Sequence, residues 1–537
     1  MTTAPEAENP RAVPEKGGPA PRHANQEVFD RLAARISVRP GTRPMAEVVA
    51  PFTGRLLRQV PLCTPDDVAF AVRRAREAQK EWAARSFSQR AKVFLRYHDL
   101  VLARQEEGLD IIQLESGKAR NHAFEEIADN AIIARHYARH AEGYLKPRRR
   151  KGALPLLTVT RELHHPLGVV GIVAPWNYPL SMAVTDAAAA LMAGNAVVLK
   201  PDLQTPFSAL WGLALLEEAG LAPGLFQVVT GRGRELGGPL IEGADYVCFT
   251  GSTATGRTIA RQAGERLIGC SLELGGKNPM LVFSDADLGK ATHGAVRGCF
   301  ANTGQLCISI ERLYVQAKVF DEFLARFQKL TGKLELGASF DYAHDMGSMS
   351  SKDQLDKLVK HIQDAVEKGA TVVAGGKARP DLGPYFHEPT ILTGVTDQML
   401  VSREETFGPL VSVYRFETEE EAIRLANATP YGLNASVWTR DVGRGVRVAS
   451  AIEAGTVNVN EAYAATWASV DAPMGGFKDS GIGRRHGAAG ILKYTAAQTV
   501  SVQRLMPLSA PPGVEEARYS ALMTRALKML SHIPGVR

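Results

Sequence analysis

The sequence contains few cysteines and no long apolar run. Its five cysteines (Cys63, Cys248, Cys270, Cys299 and Cys307) include no CxxC pair and have no histidines clustered around them. We therefore expect neither a metal site nor a disulfide framework, and we predict a reduced, cytoplasmic setting. No window has the unbroken apolar length of a membrane span, and the Pro- and Glu-rich N-terminus lacks the apolar core of a secretory signal.

The chain also lacks a strong charge of either sign. Its 63 basic and 57 acidic residues give a net charge of +6, which permits anionic ligands but does not predict a nucleic-acid partner. A chain of 537 residues is too long for one hydrophobic core, so two or three domains are expected.

The first part of the chain is predicted to be helical. Residues 1–25 combine low hydrophobicity with many Pro, Gly and charged residues, and they are predicted to be disordered. Thr64-Pro65-Asp66-Asp67 is typical of a helix start, with an N-cap, a proline at N1 and carboxylates in the first turn. Further helices are predicted from Ser88 toward Gly108 and from about Ala123 to Leu145. The basic run 146–151 is interpreted as a solvated linker.

Strand and helix patterns alternate from residue 168 onward. Gly168–Ala174 and Ala196–Leu199 are continuous apolar runs, typical of buried parallel strands, and two more strands follow at Phe226–Val229 and Tyr246–Phe249. Four such alternations predict a doubly wound, Rossmann-like sheet. A second alternating region, 279–475, predicts another α/β domain, which carries Cys307.

Two stretches outside these regions are predicted to mediate contacts between subunits. Residues 158–165 alternate like an exposed edge strand, and 491–505 are rich in β-formers. Residues 515–533 can form a basic amphipathic helix, which would pack on a subunit or, less favoured, on a membrane surface. The predicted dinucleotide-binding domain therefore comprises residues 26–152 and 169–278, and the predicted catalytic domain comprises residues 279–475. The oligomerisation strands are predicted at 153–168 and 491–505, and the C-terminal tail at 506–537.

Cys307 closes the stretch CFANTGQLC, a Gly-containing turn that precedes the apolar run Leu313–Val315. A thiol nucleophile needs such a setting, partly reachable and close to backbone N–H donors on a rigid element. Most free cysteines are small buried hydrophobes, however, so this stretch alone leaves both interpretations open.

Two further residues have the chemistry of a catalytic site. Glu273 lies in the Gly-rich, apolar stretch ELGGK, where a carboxyl group is a candidate general base with a raised pKa, or else a capping or paired group. Asn177 lies in APWNYP at the end of a predicted parallel strand, where ligand-facing residues belong. Its amide could donate to an oxyanion or brace the turn.

The segment FTGSTATG (249–256) follows an apolar strand and opens a helix. Glycine there lets the backbone approach a ligand, and the N–H groups at a helix start favour phosphate. The segment is not GxGxxG, so a purely structural turn is the alternative.

Five motifs in order, PWNYP, FTGSTATG, ELGGKNP, a GQLC turn and EETFGP, resemble the aldehyde dehydrogenase superfamily. The resemblance extends from about residue 45 to 505. Within the superfamily, the stretches GNAVVLKPD, GQLCISIER and APMGGFKDSGIGRRHG are most similar to the actinobacterial type known as NADP-dependent succinate-semialdehyde dehydrogenase.

The resemblance implies an α/β fold with a Rossmann-type cofactor domain, an α/β catalytic domain and a small β oligomerisation element, assembled as a homodimer or homotetramer. It implies NAD(P)-dependent oxidation of an aldehyde to a carboxylic acid, with Cys307 as the nucleophile, Glu273 as the general base and Asn177 as the side-chain donor of the oxyanion hole. The cofactor contacts that it implies are Trp176, Lys200, Pro201, Asp202, Leu203, Gly251, Ser252, Gly256, Leu274, Glu405 and Phe407.

One position in the sequence indicates the choice between NADP and NAD. Relatives that prefer NAD often carry a glutamate at the position of Leu203, where it binds the adenine-ribose 2′-hydroxyl. Leu203 cannot repel a 2′-phosphate, and Lys200 is near in sequence. We therefore predict that NADP is accepted and preferred, with NAD as the alternative.

The substrate is harder to infer. Well-characterised succinate-semialdehyde enzymes resemble one another in clamping the substrate carboxylate with arginines at two positions, where this chain has Ala301 and Thr185. Either another cation, Arg484 or Arg485, replaces them, or the substrate is a less charged aldehyde.

An apolar or aromatic aldehyde pocket could be lined by Trp467, Tyr463 and Phe477. Two further alternatives keep the fold and change the activity: a catalytically silent binding protein, and a thioester hydrolase that uses the same thiol and carboxylate. The joint presence of the three catalytic motifs disfavours the first, and a cofactor requirement would separate the second.

Overall fold

The computed structural model describes residues 20–152, 158–503 and 509–532. Three predictions fall partly outside the described residues. They are the disordered tail at residues 1–19, the first oligomerisation strand at 153–157, and the C-terminal region at 504–508 and 533–537. Residues 20–25 differ from the predicted disordered tail. The backbone N–H groups of Arg22 and His23 donate to the Asp110 carboxylate at 2.9 and 3.0 Å, and Asn25 caps the first helix.

The helices of the described residues, in chain order, are α1 (Gln26–Ala33), α2 (Pro65–Ala84), α3 (Phe87–Ala103), α4 (Gln105–Ser116), α5 (Arg120–Leu145), α6 (Pro179–Met192), α7 (Pro206–Glu218), α8 (Gly233–Gly243), α9 (Thr253–Glu265), α10 (Leu288–Phe300), α11 (Phe320–Thr331), α12 (Lys352–Glu367), α13 (Leu400–Arg403), α14 (Glu419–Asn427), α15 (Val442–Ala451), α16 (Ala464–Ala468), α17 (Gly487–Leu492) and α18 (Glu516–Leu530).

The strands of the same residues are β1 (Met45–Ala50), β2 (Arg55–Pro61), β3 (Arg148–Arg150), β4 (Thr158–Pro166), β5 (Val169–Val173), β6 (Ala196–Lys200), β7 (Phe226–Val228), β8 (Tyr246–Thr250), β9 (Gly269–Glu273), β10 (Asn278–Val282), β11 (Ile310–Gln316), β12 (Thr371–Ala374), β13 (Thr390–Thr393), β14 (Leu410–Phe416), β15 (Tyr431–Gly432), β16 (Asn434–Trp438), β17 (Thr456–Val459), β18 (Phe477–Lys478), β19 (Gly481–Ile482) and β20 (Thr495–Gln503).

Local capping chemistry accounts for the start of α2. Thr64 and Asp67 form a reciprocal capping box at the start of α2, as the sequence predicts. The single helix predicted from Ser88 toward Gly108 is instead two helices, because the backbone leaves the helical region at Arg104 (φ −107°, ψ 22°) between α3 and α4.

A six-stranded sheet, in the order β19-β9-β8-β5-β6-β7, forms the first α/β unit. Its strands are parallel except β19, which is antiparallel to β9 and pairs Gly481 with Glu273. The strands β5 to β8 and the helices between them follow the predicted alternation, so the predicted α/β fold is confirmed. The core of this unit is continuous with the N-terminal helices, which pack on the sheet.

A seven-stranded sheet, in the order β12-β13-β14-β11-β10-β16-β17, forms the second unit. All its pairs are parallel except β12 with β13. The short 3₁₀ turn Ala301–Gly304 follows α10 and leads through Cys307 into β11, the central strand of this sheet. The topology therefore places Cys307 at one edge of a rigid, buried layer.

A small antiparallel sheet, in the order β20-β4-β3, corrects two interpretations. The basic run 146–151 is not a free linker, because Arg148–Arg150 pairs with β4 and Arg150 donates to the Glu162 carboxylate at 2.5 Å. The strand β4 is not an edge, since β3 and β20 cover its two sides. The exposed edge belongs to β20, whose residues after Thr495 all lie at the surface. Across the described ranges, no helix is long and apolar enough to cross a membrane.

Candidate active site

The catalytic motifs meet at one cavity, to which both large sheets contribute. Asn177 follows β5, Glu273 ends β9 and Cys307 precedes β11, and all three line this cavity of about 230 Å³. Asn177 and Glu273 lie at the carboxyl ends of parallel strands, which share one edge of a sheet. Cys307 lies before the amino end of β11 in the other sheet. The structure thus brings together the three residues that the sequence singles out.

The turn before Cys307 has an unusual backbone. Asn302, Thr303 and Gly304 all have positive φ angles, of 49°, 57° and 69°. This left-handed region is unfavourable for a β-branched residue such as Thr303, and such strain persists only where the surrounding structure imposes it. A side chain at Gly304 would lie 2.1 Å from the Gly408 carbonyl oxygen, so only glycine fits there.

Asn302 ties this turn to the motif that contains Asn177. Its Nδ2 donates to the backbone oxygens of Asn177 and Gln305 at 3.1 and 3.0 Å. The Asn177 side chain donates to the Gln305 oxygen at 3.1 Å, which uses one of its two amide N–H groups. The amide is therefore fixed beside the Cys307 turn, as an oxyanion-hole donor requires.

A buried ion pair holds the same asparagine from the other side. Lys118 Nζ donates to the Asn177 carbonyl at 2.7 Å and to Glu126 at 2.6 Å, and it lies over the Tyr178 ring at 3.9 Å. The other Glu126 oxygen accepts from the first N–H groups of α6. Both charged side chains are fully buried. Because every polar group of the pair has a fixed partner, the backbone at Asn177 has little freedom to move.

The surroundings of Cys307 favour the thiol over the thiolate. Burial raises the pKa of its thiol to about 12, and the charges of Glu273 and Glu405 add to the rise, while Arg485 and the Ile308 N–H oppose it. The thiolate is the nucleophilic form, so attack requires a base or a cation close to the sulfur.

Glu273 has the properties of a general base. Its side chain is 7% exposed, and burial raises its pKa to about 7, opposed by the nearby charges of Arg485 and Lys493. No described residue forms a hydrogen bond with its Oε1. A buried carboxyl group with an unpartnered oxygen and a pKa near neutrality can exchange a proton with water or thiol.

Glu405 and Phe407 line the same cavity. Glu405 Oε1 accepts from the Gly276 N–H at 2.8 Å, and burial raises the pKa of this carboxyl group to about 7. Phe407, with φ 58°, packs edge-to-face on Trp176 with 5.5 Å between ring centroids. The buried Glu311 accepts from the Phe407 N–H at 2.9 Å and so holds this turn in place.

The implied cofactor contacts follow the edge of the six-stranded sheet. Lys200 ends β6, and its Nζ donates to the Pro201 carbonyl at 2.8 Å, while burial lowers the pKa of the amine. Asp202 and Leu203 are partly exposed in the following turn. Beside them, Gln204 Oε1 is buried without a hydrogen-bond partner in the described residues.

The segment after β8 forms a helix N-terminus. Gly251 and Ser252 line the cavity, and Ser252 caps α9 by accepting from the Thr255 N–H. Gly256 lets α9 approach the sheet, since a Cβ there would lie 2.5 Å from Leu274. The N–H groups in the first turn of α9 can donate to a dinucleotide phosphate. The buried Oε1 of Gln204, which has no partner in the described residues, can accept from a hydroxyl group of the same ligand. The residues present therefore fit such a cofactor.

The substrate side of the cavity is largely apolar. Tyr178, Leu306, Tyr463 and Trp467 pack around Cys307. The predicted pocket residue Phe477 is not among the lining residues of this cavity and is 42% exposed.

Glu125 lines the same cavity and accepts from both tyrosine hydroxyls. Tyr178 donates to it at 2.8 Å and Tyr463 at 3.0 Å, and Arg297 pairs with it at 3.6 Å. This carboxylate therefore already has three partners.

The two candidate cations differ in position. Arg484 donates to the carbonyls of Gly476 and Gly483 and lies over Phe477. Arg485 is buried, lines the cavity and donates to Thr185 Oγ1 at 2.6 Å. Only Arg485 of the two reaches the site.

The profile of the family described as "Aldehyde dehydrogenase family" matches residues 38–500. The chain belongs to the aldehyde dehydrogenase family. A relative from Mycolicibacterium smegmatis, named putative succinate-semialdehyde dehydrogenase (NADP+), is 50% identical over 521 residues, covering 96% of this chain and 100% of the relative. The 3-sulfolactaldehyde dehydrogenase of Pseudomonas putida is 39% identical over 451 residues, covering 83% and 91%.

Solved structures of aldehyde dehydrogenases share the fold. An E. coli protein described as an NADP-dependent enzyme superposes with a TM-score of 0.84 at 35% identity, covering 88% of this chain and 99% of that one. Betaine aldehyde dehydrogenase from Staphylococcus aureus, in complex with NAD+, gives 0.84 at 31% identity, covering 91% and 98%.

Sequence reasoning missed the residues that support this aldehyde dehydrogenase site. Glu126 lies in a predicted helix that was assigned to packing, Lys118 lies between two predicted helices, and Glu311 lies just before the predicted strand Leu313–Val315. Buried charged residues in apolar surroundings were the available signal, because such residues are rarely buried unless they are paired.

Proposed function

We propose that this aldehyde dehydrogenase oxidises succinate semialdehyde to succinate with NADP, using Cys307, Glu273 and Asn177 as its catalytic residues. The observation that carries the proposal is the convergence of these three side chains on one cavity, beside a sheet edge that fits a dinucleotide. The choice of substrate and cofactor rests on the names of the mycobacterial relatives.

The reaction begins at Cys307. Its sulfur adds to the aldehyde carbon, and the thiol proton leaves to water, so that Glu273 in the same cavity keeps its carboxylate for the next step. The carbonyl oxygen becomes an oxyanion, which accepts from the Asn177 amide and the Cys307 N–H. One such donor is worth about 3–4 kcal/mol of barrier. The thiohemiacetal carbon on Cys307 loses a hydride, for which a bound nicotinamide would supply the acceptor, and a thioester on Cys307 remains.

Glu273 completes the cycle. Its carboxylate takes a proton from a water molecule, whose oxygen attacks the thioester carbonyl. The C–S bond breaks, the carboxylic acid leaves, and the Cys307 sulfur regains a proton. A carboxyl group with a pKa of about 7 can both accept and return a proton near neutral pH.

NADP is favoured over NAD by the turn after β6. Leu203 offers no carboxylate to repel a 2′-phosphate, and the Lys200 amine lies at the start of the same turn. The residues proposed to hold the cofactor are the eleven that the family resemblance implies, with Glu405 on the nicotinamide ribose.

Broad oxidation of aliphatic or aromatic aldehydes is the second candidate. The apolar lining supplied by Tyr178, Leu306, Tyr463 and Trp467 favours it. The absence of arginine at positions 301 and 185 points the same way.

We further propose a homo-oligomer and a cytoplasmic, reducing setting. Among the described residues β20 is the outer strand of its sheet, with Val500 and Val502 at the surface, and is placed to pair with a second copy. The five cysteines are unpaired, as expected in a reducing compartment.

Initial rates of reduced-cofactor formation at 340 nm test the proposal, with succinate semialdehyde, hexanal and benzaldehyde, each with NADP and NAD. We expect the highest kcat/KM for succinate semialdehyde with NADP, and no turnover by Cys307→Ala. An uncharged aldehyde preferred by tenfold, about 1.4 kcal/mol of transition-state binding, would favour the second candidate. Cofactor-independent hydrolysis of a chromogenic ester without aldehyde oxidation would instead identify a hydrolase.

A further inference from the structure

We infer that Arg485 is the specificity-determining cation of this site and that it selects aldehydes carrying a carboxylate or sulfonate. This inference rests on the proposed oxidation of an aldehyde at Cys307. Arg485 is 8% exposed, lines the cavity with Cys307 and Glu273, and reaches the side chain at position 185.

The guanidinium of Arg485 is held on one side only. Its Nη2 donates to Thr185 Oγ1 at 2.6 Å and pairs with Asp186 at 3.0 Å. The Thr185 hydroxyl donates its own proton to the Ser181 carbonyl, so it is fixed as an acceptor. These contacts orient the planar group rigidly, as recognition of a planar anion requires.

The other side of the guanidinium has a poor partner. Nη1 contacts the thioether sulfur of Met182 at 2.9 Å, and a thioether is a weak acceptor. Met182 packs against the cluster of side chains around Cys307. A buried cationic donor aimed at a thioether beside the nucleophile is a place where a ligand oxygen would bind more strongly.

Arg485 shares its ion-pair partner with a second cation. Asp186 pairs with Arg485 at 3.0 Å and with Lys493 at 3.1 Å, while Glu273 and Asp129 act on the Arg485 charge from farther away. A substrate anion would pair with the guanidinium directly, which an uncharged aldehyde cannot do. The chain has no arginine at position 185. Arg485, which follows β19, supplies a cation beside that position instead.

Two carboxyl groups in the same cavity would favour a cationic aldehyde over an anionic one. Glu125 already has two tyrosine hydroxyls and Arg297 as partners. Asp129 lies in the lining, and burial raises its pKa to about 6. If these groups controlled the pocket, the preferred aldehyde would carry an ammonium group instead.

Four short aldehydes separate the possibilities: succinate semialdehyde, 3-sulfolactaldehyde, butanal and 4-aminobutanal. We expect the wild-type protein to prefer an anionic aldehyde, and the first two compounds show whether carboxylate or sulfonate is the better ligand. In Arg485→Met, kcat/KM for the anionic aldehydes should fall about 100-fold or more, the range for truncating one partner of a buried charge pair. The butanal value should fall less, because it loses only the effect of the Arg485 charge on Cys307 and Glu273.

Arg484→Met is the matched control, because this neighbour faces Gly476 and Phe477 rather than the cavity. It should retain the preference for anions. Arg485→Met leaves Asp186 paired with Lys493, so the variant is expected to fold. Equal losses on butanal and on the anionic aldehydes would overturn the inference, and so would a wild-type preference for butanal or 4-aminobutanal.

A binding measurement separates this inference from the proposed function. Succinate should slow alkylation of Cys307 by iodoacetamide in the wild-type protein but not in Arg485→Met, and butyramide should slow it in neither. Protection without any aldehyde oxidation would uphold the anion site and reject the proposed reaction. Equal protection in wild type and Arg485→Met would overturn the role of Arg485 whatever the protein oxidises.

Discussion

Glu273→Gln should gain stability relative to the wild-type protein as the pH rises, and it should block hydrolysis of the thioester on Cys307. Burial raises the pKa of Glu273 from an ordinary 4.5 to about 7. Below pH 4.5 the carboxyl group is protonated in both the folded and unfolded chains. Between pH 4.5 and 7 only the unfolded chain releases its proton, so stability falls as pH rises. The full difference corresponds to about 3 kcal/mol and persists above pH 7.

Glutamine is neutral at every pH and avoids this loss. The Glu273 Oε1 has no hydrogen-bond partner in the described residues, so the substitution breaks no bond at that oxygen. Any cost of burying the new amide is independent of pH and cancels in the comparison. The stability of Glu273→Gln relative to wild type should therefore increase by about 3 kcal/mol between pH 4.5 and pH 8.

Guanidinium unfolding at pH 5, 6.5 and 8, at matched protein concentration, measures this difference. Glu81→Gln, on the exposed face of α2, is the control and should show no comparable trend. The same variant should give a burst of reduced cofactor followed by slow turnover, because the acyl group stays on Cys307. A stability difference that is the same at all three pH values would refute the reasoning about Glu273.

Three other substitutions test the site. Asn177→Ala should lower kcat by about 10²–10³-fold through loss of an oxyanion donor, and an unchanged rate of the acylation burst would contradict that role. Lys118→Met should lower stability by about 3–5 kcal/mol because Glu126 keeps an uncompensated buried charge, and Lys118→Met/Glu126→Gln should recover part of the loss in the same unfolding assay. Leu203→Glu should raise KM for NADP at least about tenfold relative to NAD through repulsion of the 2′-phosphate, and equal effects on both cofactors would exclude that contact.

The short motifs were sufficient to identify the site residues that converge here. Cys307, Glu273 and Asn177 each follow or precede a buried strand, and strand patterns are readable from local sequence. The meeting of Asn177 and Glu273 followed from the rule that parallel strands present their carboxyl ends at one edge, but that rule does not place Cys307, which precedes its strand. Phe477 was the exception, since it carries the right chemistry but lies outside the cavity lining.

Contacts between distant segments were not predictable in the same way. Lys118 meets Asn177 across 59 residues, and Arg485 meets Thr185 across 300. The basic run at 148–150 resembled a solvated linker until its pairing with β4 was visible. Such contacts depend on how whole helices and sheets pack, which local patterns do not encode.

The amino-acid sequence by itself determined the α/β architecture and the family, because hydrophobic periodicity and short motifs are local properties of the chain. Only the tertiary structure decided which arginine reaches the cavity, which buried pair holds Asn177, and how far the pKa values of Cys307 and Glu273 rise. Burial and electrostatic fields are collective, since each depends on every group that folding brings close.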